Sequence, residues 1–308
     1  MIQLDKIIDH MNKIYGFGNA LIDIEIQITE EELKEINIEK GFMKHISRDN
    51  LEAYLDRFSS QRYSELPGGS VANSLYAANQ HNVQTHFSCS IGQDDFGKSF
   101  INSFKSDLCT LSFNESDLPT GVCLIFITPD GQRTMAANLG ANTNIHTDCI
   151  DEERLITSEY LLFDNFSLST QNGFNVAKFC MSLKPSLKIC FGISDVSLIE
   201  ENSVHLSEVL EADIDVLCGN EAEVNAFSKA YKIDSLNVLK TYGKKGASFN
   251  ETRLKAPEIE IVNSNGAGDA LLGTFLANLI NNKNNEQSLR EAIAYASEVC
   301  KTDGPRLE

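Results

Sequence analysis

The sequence predicts an α/β protein in which a doubly wound, largely parallel β-sheet carries helices on both faces and a small β-sheet forms a lid. From residue 155 onward, short apolar stretches alternate with stretches of helical periodicity, which is typical of a parallel sheet. In residues 22–28, isoleucine occupies every second position and polar residues fill the others, as in a strand with one wet face. We therefore expect residues 1–308 to form a single domain, with the lid built from about residues 20–30 and 112–140.

The individual elements follow from local signals. Ser70 is expected to cap a helix of small residues that runs through Ala78. Pro129-Asp130-Gly131 predicts the turn of a hairpin. The expected strands lie at residues 14–23, 122–127, 133–136, 160–163, 188–193, 215–218, 238–241 and 259–262. The expected helices lie at residues 30–58, 70–78, 171–183, 197–211, 221–230, 267–281 and 286–301.

The composition excludes several classes of partner. The formal net charge of -18 opposes binding to nucleic acid and to anionic membranes, both of which attract basic surfaces. No apolar run approaches the roughly 20 residues that a membrane span requires, and the first residues show no basic leader before an apolar block. We expect a cytoplasmic protein whose eight scattered cysteines are free, since none forms a Cys-x-x-Cys pair.

The most informative segment is Gly266-Ala267-Gly268-Asp269, which joins an expected strand to an apolar helix. Small residues leave the backbone N–H groups of this turn bare, and the helix dipole adds positive potential, so the turn suits an anion. Asp269 is placed to accept a proton from a hydroxyl while those amides hold a transferring phosphoryl group. The segment therefore predicts a small-molecule kinase, although a tight strand-to-helix connection with a capping aspartate explains the same letters.

Two further segments suit a nucleotide and a metal ion. Asn220 begins a helix that carries Glu223 three positions later, a spacing that satisfies a reciprocal capping box and equally suits two oxygen ligands of a hydrated Mg²⁺. The turn from Thr241 through Gly243 to Gly246 fits a hairpin loop, or a place where a nucleotide approaches the backbone closely. Both segments therefore keep a structural and a functional interpretation.

A third group of residues suits a sugar. Gly68 and Gly69 offer bare backbone before a helix, and Asn73 adds a side-chain amide. Together with Asp23, at the end of the first strand, they are suited to vicinal hydroxyls because a carboxylate accepts two O–H donors. Taken alone, the same residues are a turn and a helix cap.

In this order, the segments resemble the ribokinase-like (PfkB-type) carbohydrate kinase family from about residue 14 to residue 306. The resemblance implies a doubly wound domain with a lid, which phosphorylates a hydroxymethyl group with ATP and Mg²⁺. It implies that Asp269 is the general base and that Gly266, Ala267 and Gly268 form the anion hole. The residues implied to bind ligands are Asn220 and Glu223 for Mg²⁺ and phosphate, Thr241, Gly243 and Gly246 for the nucleotide, and Asp23, Gly68, Gly69 and Asn73 for the sugar.

Within the family, residues 18–24 and 138–142 are most similar to the adenosine kinase branch. This likeness implies that Asn142 lies at the substrate and that Asn265 lies at the nucleotide. It also implies that Arg133 lies near the transferred phosphoryl group, with an ordinary exposed arginine as the alternative.

Two further residues bear on ligands. Phe166 is a candidate to stack on a purine, and core packing is its alternative. Asn263 stands where the family usually has an acid, so activation by a monovalent cation, which that acid would support, is in doubt. The resemblance therefore implies ATP and Mg²⁺ more strongly than a monovalent cation.

The expected substrate is a nucleoside, adenosine before others, which is phosphorylated on its 5′-hydroxyl to give AMP. Alternatives are inosine, guanosine, ribose or another free sugar, and a non-catalytic sensor that only binds them. A remote alternative is a P-loop nucleoside triphosphatase, because residues 92–99 match G-x-x-x-x-G-K-S, although Asp94 and Asp95 would then repel the phosphates. Either a monomer or a homodimer fits, because an exposed lid edge is left free or paired with another chain.

Overall fold

The computed structural model describes residues 14–104, 107–184 and 186–307, and two β-sheets organise them. The strands, in chain order, are β1 (Ile14–Phe17), β2 (Leu21–Gln27), β3 (Met43–His45), β4 (Arg62–Gly68), β5 (Thr85–Gly92), β6 (Cys109–Ser116), β7 (Gly121–Ile127), β8 (Arg133–Asn138), β9 (Tyr160–Asp164), β10 (Lys188–Gly192), β11 (Ile214–Asn220), β12 (Asn237–Thr241), β13 (Ala247–Phe249) and β14 (Thr252–Leu254). The α-helices are α1 (Glu30–Ile36), α2 (Arg48–Arg57), α3 (Ser70–Gln80), α4 (Asp95–Ser103), α5 (Glu152–Thr157), α6 (Gln171–Leu183), α7 (Ser197–Glu201), α8 (Ser203–Val209), α9 (Glu221–Ala230), α10 (Ala267–Ile280) and α11 (Asn285–Val299).

The larger sheet has the strand order β14-β13-β12-β11-β10-β9-β1-β5-β6. From β12 to β6 every pair is parallel, and β13 and β14 add an antiparallel edge. The predicted doubly wound, largely parallel sheet is confirmed. β1 is flanked by β5 on one side and by β9 on the other. The chain builds the sheet first on the β5 side and later on the β9 side, so the strand order reverses beside β1. Ligands bind in such sheets at the carboxyl ends of the strands next to this reversal.

The smaller sheet has the order β3-β8-β7-β2-β4 and provides the predicted lid. Its membership differs from the range expected from the sequence. Residues 112–116 belong instead to β6, which pairs with β5 along its whole length in the larger sheet, and the lid also includes β3 and β4. The sequence did not predict these two strands, because β3 is only three residues long and the pairing partners of both strands lie far away in the chain.

Four other expected elements are corrected by the structure. Residues 14–23 comprise β1 and the beginning of β2, so Asp23 lies inside the second strand and not at the end of the first. Residues 30–58 are not one helix, because Asn37 adopts a left-handed conformation that ends α1 before β3 begins. Residues 197–211 are interrupted at Asn202, whose buried side chain donates to the backbone oxygen of Asn165. Residues 259–262 form no strand, and Ile261 and Val262 are exposed.

Helices α3 and α10 approach each other closely, and this contact sets the position of the site. A Cβ atom at Gly273, in the middle of α10, would lie 1.9 Å from the backbone oxygen of Ser74 in α3. Only glycine allows this separation. Every residue of α10 from Ala270 to Asn278 is buried, so the helix is surrounded by protein over this length.

We expect Gly273→Ala to destabilise the protein by about 2 kcal/mol, because overpacking forces the two helices apart. In an exposed helix the same substitution is favourable by about 1 kcal/mol, so the sign of the effect is diagnostic. Urea unfolding monitored by circular dichroism measures it. Asn225→Ala, on the exposed face of α9, is the matched control and should change stability little. A Gly273→Ala variant as stable as the parent would contradict the close contact.

Candidate active site

Three adjoining cavities lie at the carboxyl ends of the strands. The central one is about 270 Å³ and is lined by Asp164, Asn220, Glu223 and Asp269. On one side it shares Asp164 and Asp269 with a cavity of about 220 Å³ beneath the lid. On the other side it shares Asn220 with a cleft of about 750 Å³. We call these the central cavity, the lid pocket and the large cleft.

Asp269 lies in the first turn of α10 and points to α3. Its carboxylate accepts hydrogen bonds from the Ser70 hydroxyl and from the Asn73 amide, the latter at 3.2 Å. Burial raises the pKa of Asp269 from 3.8 to about 7, the two hydrogen bonds oppose that rise, and the charges of Asp164 and Asp23 add to it. A carboxyl group with this pKa is suited to take up a proton near neutral pH.

The turn before Asp269 has the properties of an anion site. Gly266 has a φ of +72°, and a Cβ there would lie 2.4 Å from Pro305. Within the part of the chain that the structure describes, the backbone N–H groups of Gly268 and Asp269 have no hydrogen-bond partner. A Cβ at Gly268 would meet no atom within 4 Å, so this side of the turn is open. The N-terminus of α10 therefore presents bare amides and its positive dipole end to the central cavity.

The lid pocket has a polar end at Asp23. This residue is only 7% exposed, and its carboxylate accepts a hydrogen bond of 3.1 Å from Asn265. A Cβ at Gly68 would lie 2.3 Å from the nearer Asp23 oxygen, so glycine is required for the two to pack. Burial raises the pKa of Asp23 to about 6, which Asn265 and the Arg306 charge oppose. Asn73 and Gly69 also line the pocket, as the sequence predicts.

The other end of the lid pocket is largely apolar. Phe166 lines it and is half-buried, and it belongs to neither of the large core clusters. The lid contributes side chains from β3, β7 and β8, namely Met43, His45, Cys123, Ile125, Met135 and Ala137. The pocket thus joins a carboxylate to an apolar wall with an aromatic ring.

The large cleft contains the predicted nucleotide residues. Thr241 ends β12, and Gly243 and Gly246 follow it in a turn with φ values of +55° and +100°. A Cβ at Gly246 would lie 2.0 Å from the backbone oxygen of Leu254, which explains that glycine. Lys244 and Lys245 also line the cleft, and so does the irregular segment from Ala256 to Ile261.

Asn220 and Glu223 form the capping box that their spacing predicts. The Asn220 side chain accepts from the Glu223 amide at 2.9 Å, and Glu223 accepts from the Asn220 backbone amide at 2.7 Å. Burial raises the pKa of Glu223 to about 7, and the charges of Asp195 and Asp269 raise it further. The structural interpretation of this pair is therefore confirmed, and because both residues also line the central cavity, their role as metal ligands stays a prediction.

Three predicted residues lie elsewhere than expected. Asn142 is buried and lines none of the three cavities described above, because its side chain is hydrogen-bonded to the Ala20 amide and carbonyl groups and to the Leu139 carbonyl group. Asn265 points to Asp23 in the lid pocket and not into the large cleft. Arg133 donates to the side-chain oxygen of Asn263, in the loop before the glycine turn.

Other functional candidates were missed at the sequence level. Ser70 does not cap its helix, since Gly69 occupies the N-cap position and the Ser70 hydroxyl goes to Asp269. Asp164, at the end of β9, lines both the central cavity and the lid pocket, and burial raises its pKa to about 6. Arg306 donates to Asn73. The position of Asp164 at a strand end was a usable signal, whereas the contacts of Ser70 and Arg306 arise only in the folded chain.

The P-loop alternative is wrong. Asp94 caps α4 by accepting from the Gly97 amide at 2.8 Å, and it also binds the Thr120 amide and hydroxyl. A Cβ at Gly97 would lie 2.3 Å from the Gly92 carbonyl, so this loop is closed on itself. Lys98 pairs with Asp95 on the surface. The loop therefore has no room for phosphates.

Other sequence-level expectations concern metals, thiols and membranes. Among the described residues, no cluster of three or more histidine, cysteine or acidic side chains is arranged to hold a metal ion. All eight cysteines are free, as predicted. Within the described ranges, no helix combines the length and the apolar character that crossing a membrane requires.

The Asp269 carboxylate lies beside bare helix amides, between the lid pocket and the large cleft, and this arrangement is suited to phosphoryl transfer to a small molecule. Comparison with known proteins agrees, since residues 49–308 match the profile of the pfkB family carbohydrate kinases. The chain belongs to this family. It is an ATP-dependent kinase that acts on an alcohol group.

Several relatives share most of its length. It is 22% identical to adenosine kinase 2 of Arabidopsis thaliana, over 93% of this chain and 92% of the relative. It is also 22% identical to a ribokinase of the same plant, over 94% of this chain and 76% of the relative. The crystal structure of adenosine kinase from Sinorhizobium meliloti superimposes with a TM-score of 0.87 at 20% identity, covering 96% of each chain. These likenesses confirm the fold and leave nucleoside and sugar substrates both open.

We expect Asp269→Asn to stabilise the protein increasingly as pH rises from about 4 to about 7. The folded pKa of about 7 exceeds the ordinary value of 3.8, so ionisation costs stability across this window. Below both pKa values the carboxyl group is protonated in the folded and the unfolded chain. The contribution of its ionisation to the stability difference between parent and variant then disappears. Thermal unfolding of parent and variant at several pH values measures the effect. The exposed control Asp56→Asn should show no such trend, and a pH-independent difference for Asp269→Asn would contradict the burial of this carboxylate.

Proposed function

We propose that the protein transfers the γ-phosphoryl group of ATP to the 5′-hydroxyl of a nucleoside, with adenosine as the preferred acceptor and AMP as product. The observation that carries this proposal is the continuity of the three cavities. Asp269 borders the central cavity and the lid pocket, and Gly268 borders the central cavity and the large cleft. The acceptor and the donor therefore meet at one carboxylate and one amide turn.

In this mechanism the acceptor occupies the lid pocket. Asp23, which resembles the diol-binding residue of the family, accepts hydrogen bonds from the ribose hydroxyls. Gly68 makes room for the Asp23 carboxylate, Gly69 lets the sugar approach the backbone, and Asn73 holds the end nearest to Asp269. Asp269 takes the proton of the 5′-hydroxyl as the oxygen attacks phosphorus, and ADP leaves toward the large cleft. The reaction thus converts the nucleoside and ATP into the nucleoside 5′-phosphate, ADP and one proton.

ATP is assigned to the large cleft. The turn that contains Gly243 and Gly246 brings the backbone close to the nucleotide, and Thr241 lies where this cleft joins the central cavity. The amides of Gly268 and Asp269 receive the transferring phosphoryl group, with Gly266 and Ala267 shaping the turn. Amides already fixed in place stabilise developing charge without reorganisation, which is where most of the catalysis of phosphoryl transfer originates.

Mg²⁺ fits the chemistry of the central cavity. Asn220 and Glu223 supply oxygen ligands, and Asp164 and Asp269 add negative charge to the same cavity. Burial raises the pKa of all three carboxyl groups, so their ionised forms would be favoured by a compensating positive charge. A magnesium ion that keeps several of its waters would supply it and neutralise the phosphates when bound.

The apolar wall of the lid pocket favours a nucleoside over a free sugar. A sugar would use the polar end at Asp23 and leave the methionines and Phe166 against water, whereas a purine covers them. The likeness to adenosine kinases supports the same choice. A ribose kinase is the second candidate, since the polar end alone suffices to hold a ribose and a ribokinase is similar over most of the chain.

An ADP-release assay over adenosine, inosine, guanosine, ribose and hexoses distinguishes these substrates. We expect the highest kcat/KM with adenosine and a 5′-monophosphate as the product, identified by phosphorus NMR. A preference for ribose would overturn the nucleoside assignment and leave the kinase assignment intact. Tight adenosine binding without ATP turnover in the presence of Mg²⁺ would instead favour the sensor.

A variant of Phe166 sharpens this test. Phe166→Ala should raise KM for the nucleoside about tenfold, because stacking on a base is worth about 1–3 kcal/mol, and should leave KM for ribose unchanged. Phe42→Ala removes an exposed ring that lines none of the three cavities and is the matched control. Equal effects of Phe166→Ala on nucleoside and ribose would contradict stacking.

Replacement of the base tests the mechanism. Asp269→Asn should lower kcat at least about a hundredfold, which is the usual contribution of a general base, and should change KM values little. Lys98→Ala, in the closed P-loop-like segment, should leave kcat and the KM for ATP unaltered. A kcat for Asp269→Asn within about tenfold of the parent would contradict the assignment of the base.

A further inference from the structure

Residues 304–307 pass beneath the glycine turn that precedes Asp269. Pro305 packs against Gly266 so closely that a Cβ on that glycine would lie 2.4 Å from the proline ring. Gly304 has a φ of +90°, and the backbone oxygen of Leu307 accepts a hydrogen bond of 2.7 Å from Tyr76 in α3. This segment therefore contacts both helices that meet at Asp269.

Arg306, in the middle of this segment, reaches toward the substrate-binding end of α3. Its Nε donates to Asn73 Oδ1 at 2.9 Å, and its Nη1 donates to the Ser103 hydroxyl at 3.2 Å. The guanidinium lies over the rings of Tyr76 and Phe104, 5.1 and 5.3 Å from their centres. These two ring contacts and two hydrogen bonds together hold the guanidinium in one orientation.

The contact with Arg306 decides which way the Asn73 amide faces. A guanidinium only donates hydrogen bonds, so Asn73 must turn its oxygen to Arg306 and its NH₂ group to Asp269. The Asn73 NH₂ group is 3.2 Å from the second oxygen of the Asp269 carboxylate. With the amide reversed, two oxygens would face each other at Asp269 and two donors at Arg306.

The position of Arg306 does not satisfy all of its hydrogen-bond donors. Nη2 is buried and has no partner among the residues that the structure describes. Burial lowers the pKa of the guanidinium to about 10, and the charges of Asp23 and Asp269 are among those that oppose the fall. A buried cation costs folding stability. Its presence here therefore points to an effect of Arg306 on the neighbouring side chains.

We propose that Arg306 is a positioning residue for catalysis, which fixes the Asn73 amide so that its NH₂ group holds Asp269 and the acceptor in register. The proposal rests on the proposed function, because Asp269 is taken as the base and the lid pocket as the acceptor site. It adds a residue that contacts neither substrate nor phosphate. Arg306 acts through Asn73, and its loss should weaken use of the acceptor and leave ATP binding alone.

Steady-state kinetics of Arg306→Gln test this role. We expect kcat/KM for the acceptor to fall at least about tenfold, the usual value of a charge-assisted hydrogen bond, with KM for ATP unchanged. Arg306→Lys should recover part of the loss, since an ammonium group also donates to Asn73 Oδ1. Arg290→Gln, which removes an exposed arginine paired with Glu286, is the control and should have no effect. An unchanged kcat/KM for the acceptor, or a KM for ATP that rises as much as the kcat/KM for the acceptor falls, would overturn the proposal.

A double-mutant cycle separates positioning from a general effect on stability. If Arg306 acts through Asn73, Arg306→Gln should cost little more once Asn73→Ala is present. Independent roles would multiply the two losses, and that result contradicts the proposal. Thermal unfolding identifies any variant that fails to fold, and in that case the lysine variant replaces the glutamine variant in the cycle.

NMR of the Asn73 side chain tests the contact without turnover. In protein labelled with ¹⁵N-asparagine, the NH₂ signal that disappears in Asn73→Ala belongs to Asn73. This signal should shift in Arg306→Gln and stay in place in Arg290→Gln. An unmoved signal would overturn the positioning role. A parent protein that phosphorylates no acceptor would contradict the proposed function alone, because the NMR result stands independently of activity.

Discussion

The close packing of α3 and α10 is the constraint on which the site depends. Gly273 and Ser74 touch through bare backbone, and Asp269 and Ser70 lie four residues earlier in the same two helices. A spacing of four residues places side chains on the same helix face, one turn apart. The contact that glycine permits in the buried part of the helices therefore also brings the carboxylate to the hydroxyl at their N-termini.

This geometry puts an acidic site into an acidic protein. Asp164, Glu223 and Asp269 lie at the carboxyl end of the larger sheet, Asp23 lies in β2 of the lid and lines the same pocket as Asp164 and Asp269, and burial raises the pKa of each of the four. Phosphate cannot be attracted by the overall field of a chain with a net charge of -18. The bare amides of the glycine turn and the two lysines that line the large cleft are local features that can attract it.

Features that a few adjacent residues determine were predicted from the sequence. Contacts between segments far apart in the chain were not. The glycine turn before Asp269 and the pair Asn220 and Glu223 were found because a few adjacent residues determine their geometry. The side-chain bonds of Asn142 to Ala20 span 122 positions, so nothing in the sequence indicated that this side chain is held away from the lid pocket. The residue roles remain predictions, since they concern ligands, whereas the doubly wound, largely parallel sheet is confirmed by the fold.

The loop before the glycine turn shows how one amide does what a carboxylate cannot. Asn263 accepts a hydrogen bond from Arg133 of β8 with its oxygen, and it donates with its nitrogen to Glu25 of β2 at 2.7 Å. An aspartate here would accept from Arg133 but would repel Glu25, which is 1% exposed. Because its oxygen also accepts from the Asn265 amide, Asn263 joins two lid strands to the loop that leads to the anion site. Glu25 thus places a buried carboxyl group beside the amide that stands where the family usually has an acid, and these hydrogen bonds tie the lid to the loop before the glycine turn.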